Sequence, residues 1–187
     1  MHQPVFHVAA AALEAGLAEV EASPKSVGTL DLIVRRPSVN LREELEVGAL
    51  DPGEGLVGDN WQFLPSRHTP DQSPHPGRQL TVMNSRLVAL VAQSADRWAL
   101  AGDQLYVDLD LSEANLPPGT RLAIGEAEIE MTDQLHTGCA KFVSRFGVDA
   151  MKFVNSPVGR ALRLRGAYAR VTRAGRIAQG DEIRVLR

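Results

Sequence analysis

The apolar residues of this chain come in short runs, often alternating, that glycine and proline cut every few positions. "LYVDLDL" alternates strictly, as a strand with one buried face does. "SVGTLDLIVRRP" carries Val27, Leu30, Leu32, Ile33 and Val34 between Gly28 and Pro37, and "QLTVMN", "TRLAIG" and "AEIEMTD" are similar pieces. "LRGAYARVTRAG" and "RIAQGDEIRVL" read as two closing strands joined by a tight turn at "RAGR". Many short strands, abundant turn residues and few helices predict a mainly β protein with a few helices (α+β), closed as a barrel. The strand spacing is too irregular for a repeat protein.

Three segments read as helical. Residues 9–21 form a short amphipathic stretch. A second begins with Asn84 or Ser85 as N-cap, carries Leu87, Leu90, Val91 and Trp98 at helical spacing, and ends at Gly102. "GVDAMKFVNS" is the third. Residues 65–78, "PSRHTPDQSPHPGR", hold four prolines, so they form an exposed loop of the kind that often serves as a functional loop or lid. The expected division is an N-terminal helical extension over 1–25 and a barrel domain over 26–187.

One cysteine in 187 residues excludes an internal disulfide framework and a Cys-rich zinc site. A lone free thiol fits a reducing compartment, which points to the cytoplasm. No apolar run is long enough to span a bilayer, and the start lacks the basic flank of a signal peptide, so no membrane role is expected. Charge is uneven: residues 1–138 hold 9 basic and 20 acidic residues, whereas 139–187 hold 11 basic and 3 acidic. A basic segment that begins at the cysteine suggests an anionic ligand; the plainer reading is that the two parts pair across one fold. An aromatic content of 5% and the lack of a recognition motif argue against nucleic acid.

The cysteine stands in "HTGCAKFVSRFG". A cysteine that acts as nucleophile or metal ligand must be a thiolate, which needs positive charge, backbone N–H groups or a base nearby. Around Cys139 the sequence supplies His136, Lys141 and Arg145. His136 could orient or deprotonate the thiol, and Lys141 and Arg145 could grip phosphate or carboxylate. Arg163 and Arg165 share a face if "LRLRG" is extended. The plain alternative is a buried cysteine that only fills space. Asp59 in "GLVGDN" is a turn residue or a ligand, and "GEGLVG" fails as a dinucleotide fingerprint. His68, His75 and Asp71 of the loop match no strong metal pattern.

Taken together, several segments resemble the MOSC domain, the module named after the C-terminal domain of molybdenum cofactor sulfurases. These are "GLVGDNW", "RQLTVMN", "LPPGTRLAIGEAEIEMT", "GCAKF" and "LRGAYARVTRAGRIAQGDEIRV", in that order, over about residues 26–186. Gly138 stands where the family often has proline, and "GDNW" replaces a more typical Gly-Asp-Arg-His. The resemblance implies a β-barrel with a cleft over Cys139, and use of that cysteine as a persulfide site or as a ligand to molybdenum. It implies molybdenum cofactor (molybdopterin) as ligand, with Lys141, Arg145, Arg165 and Arg78 on its phosphate and pterin. His136 and Asp59 would line the pocket, and His68 would stand in for the missing basic contact. Reduction of N-hydroxylated compounds would follow if the cofactor stays bound. No PLP is expected. The partners implied are the anionic pterin or a sulfur donor protein, and a homodimer stays open. Two other classes remain: a Cys–His thiol enzyme, and a non-catalytic barrel that docks through its N-terminal helix.

Overall fold

A computed structural model describes residues 7–187; residues 1–6 of the expected extension lie outside it. The strands in chain order are β1 (Val27–Arg35), β2 (Glu43–Leu45), β3 (Val47–Asp51), β4 (Gly55–Leu56), β5 (Leu80–Asn84) and β6 (Leu105–Asp108). β7 (Arg121–Ile124), β8 (Ala127–Met131), β9 (Ala167–Arg173), β10 (Gly175–Ala178) and β11 (Glu182–Leu186) follow. The α-helices are α1 (Ala10–Glu21), α2 (Ser85–Ala92), α3 (Ala140–Asn155) and α4 (Pro157–Ala161).

Seven strands close on themselves in the order β1-β11-β7-β8-β9-β5-β6 and back to β1, with β2 flanking β1. Closure leaves few unpaired edges, which suits strands this short. Pairings are antiparallel except β5 with β6, which are parallel and joined by a crossover through α2 and a 3₁₀ turn over Ala95–Ala101. A smaller sheet, β10-β3-β4, lies beside the barrel.

Two apolar cores result. Leu30, Ile33, Leu80, Val82, Leu105 and Val107 fill the barrel, while Leu32, Val34, Met83 and Tyr106 leave its outer face to meet the helices. Alternation along β5 and β6 sends neighbours to opposite faces. In β1, Leu30 and Leu32 are two residues apart yet enter different cores, because the pairing with β6 shifts register between them. That bulge inverts the alternation, and it explains why "LDLIV" reads as an unbroken apolar run.

α1 packs Leu13 into the helix-side core. Its first turn has no side-chain cap of its own; the Ala10 N–H donates instead to Asp149 Oδ2 of α3 at 3.2 Å. Among the described residues, no helix is long and apolar enough to cross a membrane.

Three expectations are corrected. The helix from Ser85 stops at Ala92, since Gln93 adopts a left-handed conformation (φ 65°) and the chain resumes as a 3₁₀ turn ending at Gly102. The closing strands are not a hairpin: "RIAQGDEIRVL" divides into β10, which pairs with β3, and β11, which pairs with β7 and β1. Gly175 makes the change of sheet possible, because a Cβ there would sit 2.4 Å from the Glu126 carbonyl carbon. Finally, "GVDAMKFVNS" is the second half of a longer element. α3 breaks at Gly147 (φ 92°, ψ 167°), a backbone region that only glycine visits readily, so two short helices fold back on each other.

Candidate functional site

The fold-back brings the ends of α3 together. Asn155 Oδ1 accepts from the Gly138 N–H at 2.9 Å, and Asn155 Nδ2 donates to the Gly138 carbonyl at 3.2 Å. Proline at 138 would delete the first of these bonds, so Gly138 and Asn155 form a matched pair. The clasp fixes the residue before Cys139, which is the N-cap of α3.

The Cys139 thiol is exposed. Partial burial pushes its pKa up; the backbone N–H groups of Phe142 and Lys141 and the charges of Arg165 and Lys141 outweigh that and hold it below the ordinary thiol value. Neither N–H closes a regular capping hydrogen bond to the side chain. The sulfur is therefore a reachable thiol with an enhanced thiolate fraction.

Cys139 opens onto a cleft of about 550 Å³, a volume typical of small-molecule sites. Lys141, Arg145, Arg165, Arg78, His68 and His136, the candidates named from the sequence, all line it. So do Arg36, Arg42, Arg67, Trp61 and Tyr168, which that reading missed. No carboxylate is among the lining residues.

The charge is organised by pairs behind the wall. Arg36 makes a bidentate bond to Asp59, Nε to Oδ2 at 2.9 Å and Nη2 to Oδ1 at 2.8 Å, and its Nη1 donates to the Gly102 carbonyl at 3.1 Å. Asp59 is thus corrected from pocket-lining residue to support: it is buried, does not reach the cleft, and orients an arginine that does. Arg165 repeats the pattern with buried Asp103, Nη1 to Oδ2 at 2.7 Å, and its Nη2 donates to the Ala101 carbonyl at 3.0 Å. Burial pushes the Asp103 carboxyl up and Arg165 opposes that.

His136 does not pair with the thiol as a base would need. Its ring lies against Tyr168 (centroids 4.6 Å), and its Nδ1 stands 3.7 Å from Asp103 Oδ1, too far for a hydrogen bond. Burial, then the charges of Arg165, Arg36 and Arg78, hold its pKa well below the ordinary imidazole value, so it is neutral. Arg163 does not share a face with Arg165. It takes a left-handed conformation (φ 49°) and donates to the Leu116 carbonyl at 2.7 Å, away from the cleft. His68 and His75 both reach the cleft with rings 6.4 Å apart, but among the described residues no three of His, Cys, Asp and Glu assemble to hold a metal.

Most of the basic C-terminal charge has no part in this. Arg170 pairs with Glu130, Arg173 with the buried Glu128 and Arg184 with Glu182, all on strands. The cleft instead draws cations from both sides of Cys139 in the sequence, with Arg36, Arg42, Arg67 and Arg78 before it.

A family model for the MOSC domain matches residues 69–184. The chain belongs to the MOSC domain family. Solved structures similar to this MOSC domain include YuaD from Bacillus subtilis, at 17% identity and a TM-score of 0.59, covering 85% of this chain and 95% of that one. YiiM from Escherichia coli matches at 19% identity and a TM-score of 0.53, covering 85% of this chain and 70% of that one. YiiM from Geobacillus stearothermophilus matches at 13% and 0.52, covering 88% and 75%. At these identities the likeness is one of fold. No curated protein matches the chain. The matched span of this MOSC domain begins after the "GLVGDNW" element, so that part of the resemblance lies outside it.

Proposed function

We propose that Cys139 is the working sulfur of this cleft, either as ligand to the molybdenum of molybdopterin cofactor or as a persulfide site. The family as a whole is associated with molybdenum cofactor binding and sulfur chemistry. The observation that carries the reading is an exposed thiol, its pKa lowered by neighbouring donors and cations, on the wall of a cation-lined cleft without a carboxylate.

The residues fit a phosphorylated pterin. Lys141, Arg145, Arg78 and Arg42 offer donors to phosphate and to carbonyl edges, and Trp61 and Tyr168 offer flat faces. The Nε atoms of Arg42 and Arg165 are buried without a protein partner, and a buried donor left in that state is costly unless a ligand or water completes it. When bound, the cofactor supplies a redox-active metal that a cysteine sulfur can ligate, and reduction of N-hydroxylated compounds is the activity it would support. The chain's own contribution is to favour the thiolate of Cys139, to neutralise the ligand's charge, and to keep His136 as a neutral wall rather than a competing cation.

Protein purified from cells that synthesise the cofactor should carry molybdenum and a pterin, or an added sulfur on Cys139 by mass spectrometry. Cys139→Ser should lose all of these. Wild-type protein with neither metal, pterin nor added sulfur overturns the reading.

A further inference from the structure

The cleft holds more positive charge than one thiolate requires, and it is concentrated. Arg36, Arg42 and Arg145 converge on Gly102: Arg36 Nη1 donates to its carbonyl, and a Cβ at 102 would lie 3.4 Å from Arg42 Nη2 and 3.6 Å from Arg145 Nη1. Arg42 is the strained member. Burial, then the like charges of Arg145 and Arg36, disfavour its charged form. Among the described residues its guanidinium donates only to the neighbouring Leu41 carbonyl, and that of Arg145 only to the Leu100 carbonyl. Among the described residues neither has a carboxylate partner within salt-bridge distance. Arg165, with its side chain only 8% exposed, lines the same cleft, acts on Cys139 through its charge, and leaves Nε unpartnered. Cations pressed together in one hollow with free donors call for a small, multiply charged anion in the cleft onto which Cys139 opens.

Among sulfur donors, that description selects a compact dianion with a transferable outer sulfur. We propose that the cleft takes thiosulfate as substrate and that Cys139 accepts its sulfane sulfur, which rests on the persulfide form of the reading above. The Cys139 thiolate attacks the outer sulfur of thiosulfate, forming the new S–S bond. The bond between outer and central sulfur breaks, and its electron pair leaves with sulfite. One thiolate and one dianion become one persulfide anion and one dianion, so charge and electrons balance and no oxidant is needed. Attack of an anion on a dianion is opposed by repulsion in water, and the arginine cluster removes that opposition while accommodating the departing sulfite. His136, being neutral and away from proton transfer, is not required. The cleft far exceeds thiosulfate in volume, leaving room for a sulfur acceptor to approach the persulfide.

The test uses the full-length chain, reduced and desalted. Incubation with thiosulfate should add one sulfur atom to Cys139, release one equivalent of sulfite, and give thiocyanate on addition of cyanide. Cys139→Ser should abolish all three. Arg42→Gln and Arg145→Gln should each raise KM for thiosulfate roughly tenfold or more, as expected for loss of a charged hydrogen bond to an anion, with unchanged melting temperature confirming that each variant folds. Loading of Cys139 by inorganic polysulfide but not by thiosulfate overturns this proposal and leaves the persulfide reading standing. Loading by neither overturns both, and loading by thiosulfate with unaltered KM in both arginine variants overturns the assignment of the cluster.

Discussion

At Cys139 the balance of forces is between partial burial, which disfavours the thiolate, and donors and cations, which favour it. The second group wins, so the rate of alkylation by iodoacetamide should rise with pH about a midpoint below the ~8.5 of a free cysteine. Lys141→Ala removes one of the favouring charges and should move that midpoint upward. A midpoint at or above the free-cysteine value would show that burial dominates. The thiol, Lys141, Arg145 and His136 were legible in one short stretch of sequence because they are neighbours along the chain. Arg36 with Asp59 and Arg165 with Asp103 were not, since each pair joins residues 23 and 62 positions apart. Nothing local in "VRRP" or "AGDQ" announces a partner that only folding brings near.

At the scale of elements, the decisive one is α3. The sequence reads as a short helix over "GVDAMKFVNS", starting at Gly147. What the pattern does not reveal is that the glycine joins two helices rather than ending one. The fold-back depends on its conformation and on space, since a Cβ at 147 would lie 2.8 Å from His7. Gly147→Ala should therefore destabilise the protein by about 1–3 kcal/mol, visible as a melting temperature several degrees lower. It should also alter the alkylation rate of Cys139, because the same bend sets where α3 begins. An unaltered melting curve would mean that the bend relaxes without cost. The barrel strands were easier to read: closely spaced runs with turn residues between them leave little choice of element, although the register shift in β1 hid which core each apolar residue enters.

For the molecule as a whole, net charge is a poor guide to where charge acts. The chain carries −3 overall, yet one cleft gathers cations without a single lining carboxylate. The compositional split at Cys139 does not coincide with the cleft: several of its arginines serve strand pairs, and half the lining cations come from the acidic part. A local positive field should make Cys139 prefer anionic reagents. The ratio of its modification rates by iodoacetate and by iodoacetamide should exceed that of a free thiol. The excess should shrink as salt rises from about 0.05 to about 0.5 M, as screening shortens the reach of the field. A ratio equal to the free thiol's at low salt would show that the cations are already neutralised.

The Gly138–Asn155 bonds carry a lesson for mutagenesis. Asn155 does not line the cleft, carries no charge and lies sixteen positions beyond the reactive sulfur in the chain, so a scan confined to the cleft wall would pass over it. Losing its amide would unlatch the turn that presents the thiol, and the defect would masquerade as failed chemistry in a protein whose reactive groups are all intact.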